Sequence, residues 1–191
     1  IVLPGFTPLT WNAHRLTLGA GRTYQWDQDL LPARIDARGQ PLTGPLTLRL
    51  RQGGVVRALP PVTLAVTATT GHHVELAGSV AASTTLTLSA AIRVEYDGLA
   101  TVALTLTPRG VVAIDGLELV VPVVRTTDLR LLAYEPEGIF DYRKQVVFPL
   151  CGELPYKSVL GLADTERSLW VLTDEPAFPG PASDRPATSL R

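Results

Sequence analysis

Between Ser83 and Pro108 apolar and polar residues alternate with a period of two. Leu86, Leu88, Ala90, Ile92, Val94 and Tyr96 fall on even positions, while Thr85, Thr87, Ser89, Arg93 and Glu95 fall on odd ones. That is the pattern of a strand with one buried face. It resumes after Asp97-Gly98, with Ala100, Val102, Leu104 and Leu106 set against Thr101, Thr105 and Thr107. A two-residue loop at Asp97-Gly98 would place Val94 opposite Thr101 and cross the two faces. A three-residue loop, Tyr96-Asp97-Gly98, pairs Glu95 with Leu99, Val94 with Ala100, Ile92 with Val102 and Leu88 with Leu106, and every face agrees. This register predicts a long hairpin with Gly98 at positive φ in a G1-type bulge, a structural turn and not a catalytic site.

The same period predicts further strands at Arg15–Leu18, Thr23–Trp26, Leu31–Asp36, Leu46–Arg51, Val55–Leu59, Val62–Thr69, His72–Leu76, Leu129–Ala133, Ser158–Leu162 and Ser168–Thr173. Val111–Val124 is the longest apolar segment; its Asp115-Gly116 reads as a turn or a bulge, and Pro122 as an edge or strand end. Residues 1–12 read as an extended lead-in. Gly19-Ala20-Gly21 has half of a dinucleotide-binding fingerprint, but neither a third glycine nor a helix follows, so a hairpin turn is expected. No segment sustains a 3.6-residue period with caps. The class is therefore all-β: a large antiparallel β-sandwich of roughly 12–15 strands with little helix. Residues 1–174 are expected to form a single sandwich domain, and 175–191, with Pro176, Pro179, Pro181 and Pro186, a linker or tail.

Composition narrows the function classes. With 191 residues the chain is long enough to bury a sizeable core. A formal net charge of -1 supplies no basic stripe, which argues against nucleic-acid binding. No apolar run approaches the ~18 residues needed to span a membrane, and Pro4, Gly5 and Pro8 interrupt any signal-peptide core. The lack of methionine, even at position 1, is expected of a processed or excised piece of something longer. The single Cys151 leaves the redox compartment undetermined and reads as a small apolar residue. His72 and His73, adjacent on a strand, would point to opposite faces, and His14 is distant in sequence, so neither a metal nor another cofactor is expected.

One stretch differs in composition. Tyr134, Phe140, Tyr142, Phe148 and Tyr156 are five of the twelve aromatic residues, and they share their segment with Lys144 and Lys157, the only lysines. Aromatic and charged residues on long loops suit a binding surface, or a lid over one end of the core. Tyr134, Phe140, Tyr142 and Tyr156, with Trp170 from a neighbouring strand, are the candidate binding residues. Trp11, Trp26 and Trp170 could each stack on a sugar ring or pack in a core.

Several blocks, in order, resemble the N-terminal β-sandwich domain of bacterial proteins related to glycoside hydrolase family 123. They are Leu3-Pro4-Gly5-Phe6-Thr7-Pro8-Leu9, the hairpin from Glu95-Tyr96-Asp97-Gly98-Leu99 to Leu104-Thr105-Leu106-Thr107-Pro108, Ile114-Asp115-Gly116-Leu117-Glu118-Leu119 with Val121-Pro122, and Leu162 to Trp170. The last departs from that pattern at Ala163 and Ser168. The resemblance implies an N-acetylhexosaminidase-like parent in which a sandwich precedes a catalytic (α/β)₈ barrel. There, an adjacent Asp-Glu pair assists the acetamido group of the substrate. Asp174-Glu175 has that spelling, but no alternation of strands and helices precedes it to build a barrel. No catalytic residue is assigned. The expectation is a non-catalytic accessory module that supports or shapes the cleft of a downstream catalytic domain. The alternatives are a free-standing carbohydrate-binding module, or a structural β-sandwich subunit of a surface or filament assembly. The last draws on the flat Thr-rich faces of the hairpin. An extracellular or periplasmic address follows from the resemblance alone.

Overall fold

A computed structural model of the chain describes residues 7–19, 21–124, 130–133, 146–147, 152–154, 159–163, 167–172 and 188–190. Among them there is no helix, and every strand pairing is antiparallel. The chain is an all-β protein of the β-sandwich kind. It divides into two compact units, Ile1–Val124 and Arg125–Arg191.

Three sheets build the first unit. One runs in chain order through β1 (Thr10–Asn12), β2 (Arg15–Leu18), β3 (Arg22–Gln25), β4 (Arg34–Ala37) and β5 (Gln40–Thr43). The chain continues through β6 (Thr47–Gln52), β7 (Val55–Ala58), β8 (Ala65–Thr69), β9 (His73–Ser83), β10 (Leu86–Glu95), β11 (Ala100–Pro108) and β12 (Gly116–Val120). The second sheet has the order β11-β10-β9-β8 and the third β12-β6-β7.

The hairpin has the register that its faces demand: Val94 lies opposite Ala100, Ile92 opposite Val102 and Leu88 opposite Leu106. At the turn, the Glu95 N–H donates to the Leu99 carbonyl and the Gly98 N–H to the Glu95 carbonyl. Gly98 has φ of 89°. Between β2 and β3 the Gly21 N–H donates to the Leu18 carbonyl, as a hairpin turn there requires.

Alternation also sets the core. Leu86, Leu88, Ala90, Ile92 and Val94 of β10 are buried beside Val74, Leu76, Val80 and Ala82 of β9. Gly78 occupies the matching place on β9, where a Cβ would lie 2.5 Å from Leu64 Cδ2 and 3.3 Å from Leu30 Cδ2. A side chain there would have to displace the buried Leu64. Leu16, Leu18, Tyr24 and Trp26 close the core from the first sheet, and Leu48 and Leu50 from the third.

Two features depart from the pattern. On β11 the face that continues the buried side of β10 is open, with Val102 36% and Leu104 38% exposed. β11 is the outermost strand of its sheet, so its apolar side chains border solvent among the described residues. His72 and His73 also fail to point apart: His72 precedes the strand, and the two rings meet edge to face with centroids 4.7 Å apart.

The described part of the second unit comprises β13 (Arg130–Ala133), β14 (Val146–Val147), β15 (Gly152–Leu154), β16 (Val159–Ala163), β17 (Ser168–Leu172) and β18 (Thr188–Leu190). They form a sheet of order β14-β13-β16-β17 and a pair, β15 with β18. β18 falls in the stretch that the sequence reads as linker or tail. Strands of two or three residues are too short for alternation to reveal them.

Candidate interaction face

The outward side of β9, β10 and β11 is built from the odd positions of the alternating pattern. Rows across the three strands follow from the two registers: Glu75, Arg93 and Thr101; Ala77, Ala91 and Ala103; Ser79, Ser89 and Thr105; Ala81, Thr87 and Thr107. Between the charged row and the threonine row the side chains are uniformly small. They line a shallow, open depression of about 440 Å³ whose walls include Ala77, Ser79, Ser89, Ala91, Ala103 and Thr105. Ser89 Oγ donates to Ser79 Oγ at 3.1 Å, so its polar groups partly satisfy one another. Such a surface has no aromatic ring to stack on a sugar and no charge to capture an ion.

At one end the face is framed by ion pairs. Arg93 bridges Glu95, at 2.6 Å through Nε, and Glu75, at 3.2 Å through Nη1. The Glu95 hydrogen bond, chiefly, pushes the pKa of the guanidinium up. His73 Nε2 lies 3.7 Å from Glu75. The two Arg93 pairs are exposed and orient side chains more than they stabilise the fold. Among the described residues, no group of three or more His, Cys, Asp and Glu could hold a metal.

The turn Tyr96-Asp97-Gly98 is clamped onto the first sheet. Arg22 Nη1 donates to the Asp97 carbonyl at 2.9 Å, and the buried Tyr24 hydroxyl donates to the Gly98 carbonyl at 2.7 Å. Asp97 Oδ1 accepts from the Leu99 N–H, fixing the turn from within. Burial raises the pKa of Tyr24 above the ordinary 10.0, with Arg22 opposing and Asp97 adding to the shift. The arrangement holds a hydroxyl proton on a backbone carbonyl, which is structural chemistry.

Of the aromatic candidates, Trp170 lies within the described residues. It sits on β17 opposite Gly161 of β16 and is 39% exposed. A Cβ at Gly161 would lie 2.6 Å from the indole, so the ring covers the glycine. Tyr134, Phe140, Tyr142 and Tyr156 lie outside the described residues, as do Cys151, Asp174 and Glu175. Trp26 is buried, stacked on Tyr24 and tilted against Trp11, and its Nε1 has no hydrogen-bond partner among the described residues. A sugar therefore has no access to its ring.

The threonines of the hairpin announce the outward face in the sequence, but the share of β9 is hidden there. Val74, Leu76, Val80 and Ala82 keep the alternation across Gly78, and that single gap ends the expected strand at Leu76. Among the described residues no helix is long and apolar enough to cross a membrane. No family model, curated protein or solved structure matches the chain.

Proposed function

We propose that the chain is a non-catalytic β-sandwich module that works by packing against protein, as the accessory module of a glycoside-hydrolase-like, carbohydrate-active polypeptide. The observation that carries the packing role is the outward face of β9–β11, broad, uncharged at its centre and made of alanine, serine and threonine. Small side chains let a partner backbone or flat sheet approach closely, and they lose little rotamer entropy when covered. The ordered blocks that resemble the front sandwich of family 123 relatives, from the hairpin motif to the Leu162–Trp170 segment, support the carbohydrate-active parent and a catalytic barrel as the partner. Stacking on a free glycan has less support, because the outward face lacks aromatics and Trp26 is buried.

An Ala91→Arg substitution tests this. It projects a charge from the middle of the face without touching the core, so the stability of the isolated chain should stay within about 0.5 kcal/mol of its original value. In the parent polypeptide the same change is expected to lower N-acetylhexosaminide hydrolysis by about tenfold, the effect of some 1.4 kcal/mol of lost docking. Unchanged hydrolysis, or a parent polypeptide without a barrel, would overturn the proposal. So would glycan-array binding by the isolated chain that Ala91→Arg abolishes, since it would make the face a sugar site.

A further inference from the structure

The outer edge of β11 is a feature independent of whatever meets the outward face. In an antiparallel ladder, residues alternate between turning their backbone groups to the neighbour and turning them away. The bonds Glu95 N–H to Leu99 and Arg109 N–H to Thr85 fix the parity at the two ends of the β10–β11 pairing. Thr101, Ala103, Thr105 and Thr107 therefore turn their backbone groups to β10, while Ala100, Val102, Leu104 and Leu106 direct their N–H and C=O groups outward. Among the described residues no strand pairs with that edge. The nine-residue strand carries no charged side chain, and its one proline, Pro108, is its last residue. Charges and prolines are the devices by which natural edge strands are ordinarily kept apart, and β11 lacks them along its length.

We propose that this edge pairs with the β11 edge of a second copy of the chain, antiparallel, about a two-fold axis through Ala103. The strand is complementary to itself in that register. Ala100 meets Leu106 of the other copy and Val102 meets Leu104, so all the outward N–H groups find carbonyls and each large side chain faces a smaller one. Thr101 meets Thr105, a favourable cross-strand pair. At the axis, where a non-hydrogen-bonded pair brings backbones closest, Ala103 meets itself. The exposed Val102 and Leu104 of each copy cover one another. Beyond the strand ends the register carries the exposed Arg109 of one copy toward the exposed Asp97 of the other, placing opposite charges together twice. The two four-stranded sheets become one of eight, and both outward faces lie on the same side of it.

Cysteine scanning reads this register directly. In a Cys151→Ser background, Ala103→Cys places two thiols on Cα atoms about 4.5 Å apart, within disulfide reach. Thr101→Cys and Thr105→Cys place them roughly 14 Å apart. Mild oxidation is expected to link Ala103→Cys chains into covalent dimers with at least about tenfold the yield of the other two. The unmodified chain should sediment as a dimer that dissociates on dilution between about 100 and about 1 µM. Leu104→Pro removes an outward N–H without removing a bond to β10, and should give a folded monomer; if it does not fold, Leu104→Lys serves the same purpose. A monomer throughout that range, assembly that grows beyond the dimer, or equal cross-linking of the three cysteine variants would overturn the proposal.

Discussion

Gly98 is where the hairpin and the first sheet are joined. Its φ of 89° is a left-handed conformation, and a Cβ there would fall on the Arg22 guanidinium. Gly98→Val should cost about 2 kcal/mol or more in urea unfolding, from backbone strain and a displaced Arg22. Tyr24→Phe removes the donor to the Gly98 carbonyl and should cost about 1–2 kcal/mol, because that acceptor is buried. The tyrosine also makes stability depend on pH. Burial, above all, raises its folded pKa over the unfolded value, so its contribution is complete below pH about 10 and is lost as pH rises through the folded value. Alkaline denaturation should therefore be shallower in Tyr24→Phe. A different turn stores strain. β1 and β2 are joined by Ala13 and His14, at φ of 45° and 66°, where two-residue hairpin loops favour Asn-Gly. The double replacement Ala13→Asn, His14→Gly should raise stability by about 1 kcal/mol, measured by thermal or urea unfolding.

At the scale of the element, sequence and structure agree where faces constrain register and part where turns lack their usual residues. The β10–β11 register can be read from the sequence because a two-residue loop would cross the buried and open faces. β1 cannot, since Ala13-His14 carries no turn signature and the preceding prolines suggest a lead-in. β5 escapes for a related reason: the turn before it uses Arg38, at φ 51°, with Gly39, and Pro41 lies within the strand. Alternation also leaves open whether an apolar face is covered. β10 and β11 have the same pattern, yet Ile92 is 2% exposed and Val102 36%. Ile92→Ala should thus cost about 2–4 kcal/mol by cavity formation, and Val102→Ala less than about 1 kcal/mol, in the same unfolding assay at concentrations low enough to keep the chain monomeric. Equal costs would mean that β11 is covered in the monomer.

For the whole molecule, the buried residues from Leu9 to Val94 belong to the first compact unit, which the Thr43–Val123 bridge and the bond from the Val124 N–H to Leu42 close at its end. Residues 1–124 alone are expected to unfold cooperatively. The aromatic stretch that the sequence offers as a binding surface lies mostly outside the described residues, whereas the outward face of β10 and β11 can be read from the sequence and the structure adds the share of β9. The central claim is that this face packs against protein. Its most direct test is the rate at which maleimide labels Ala91→Cys in the isolated chain and in the proposed parent polypeptide, with Cys151→Ser in both. Labelling should be rapid in the isolated chain and about tenfold slower or more in the parent, as the face becomes covered. Equal rates would contradict the claim.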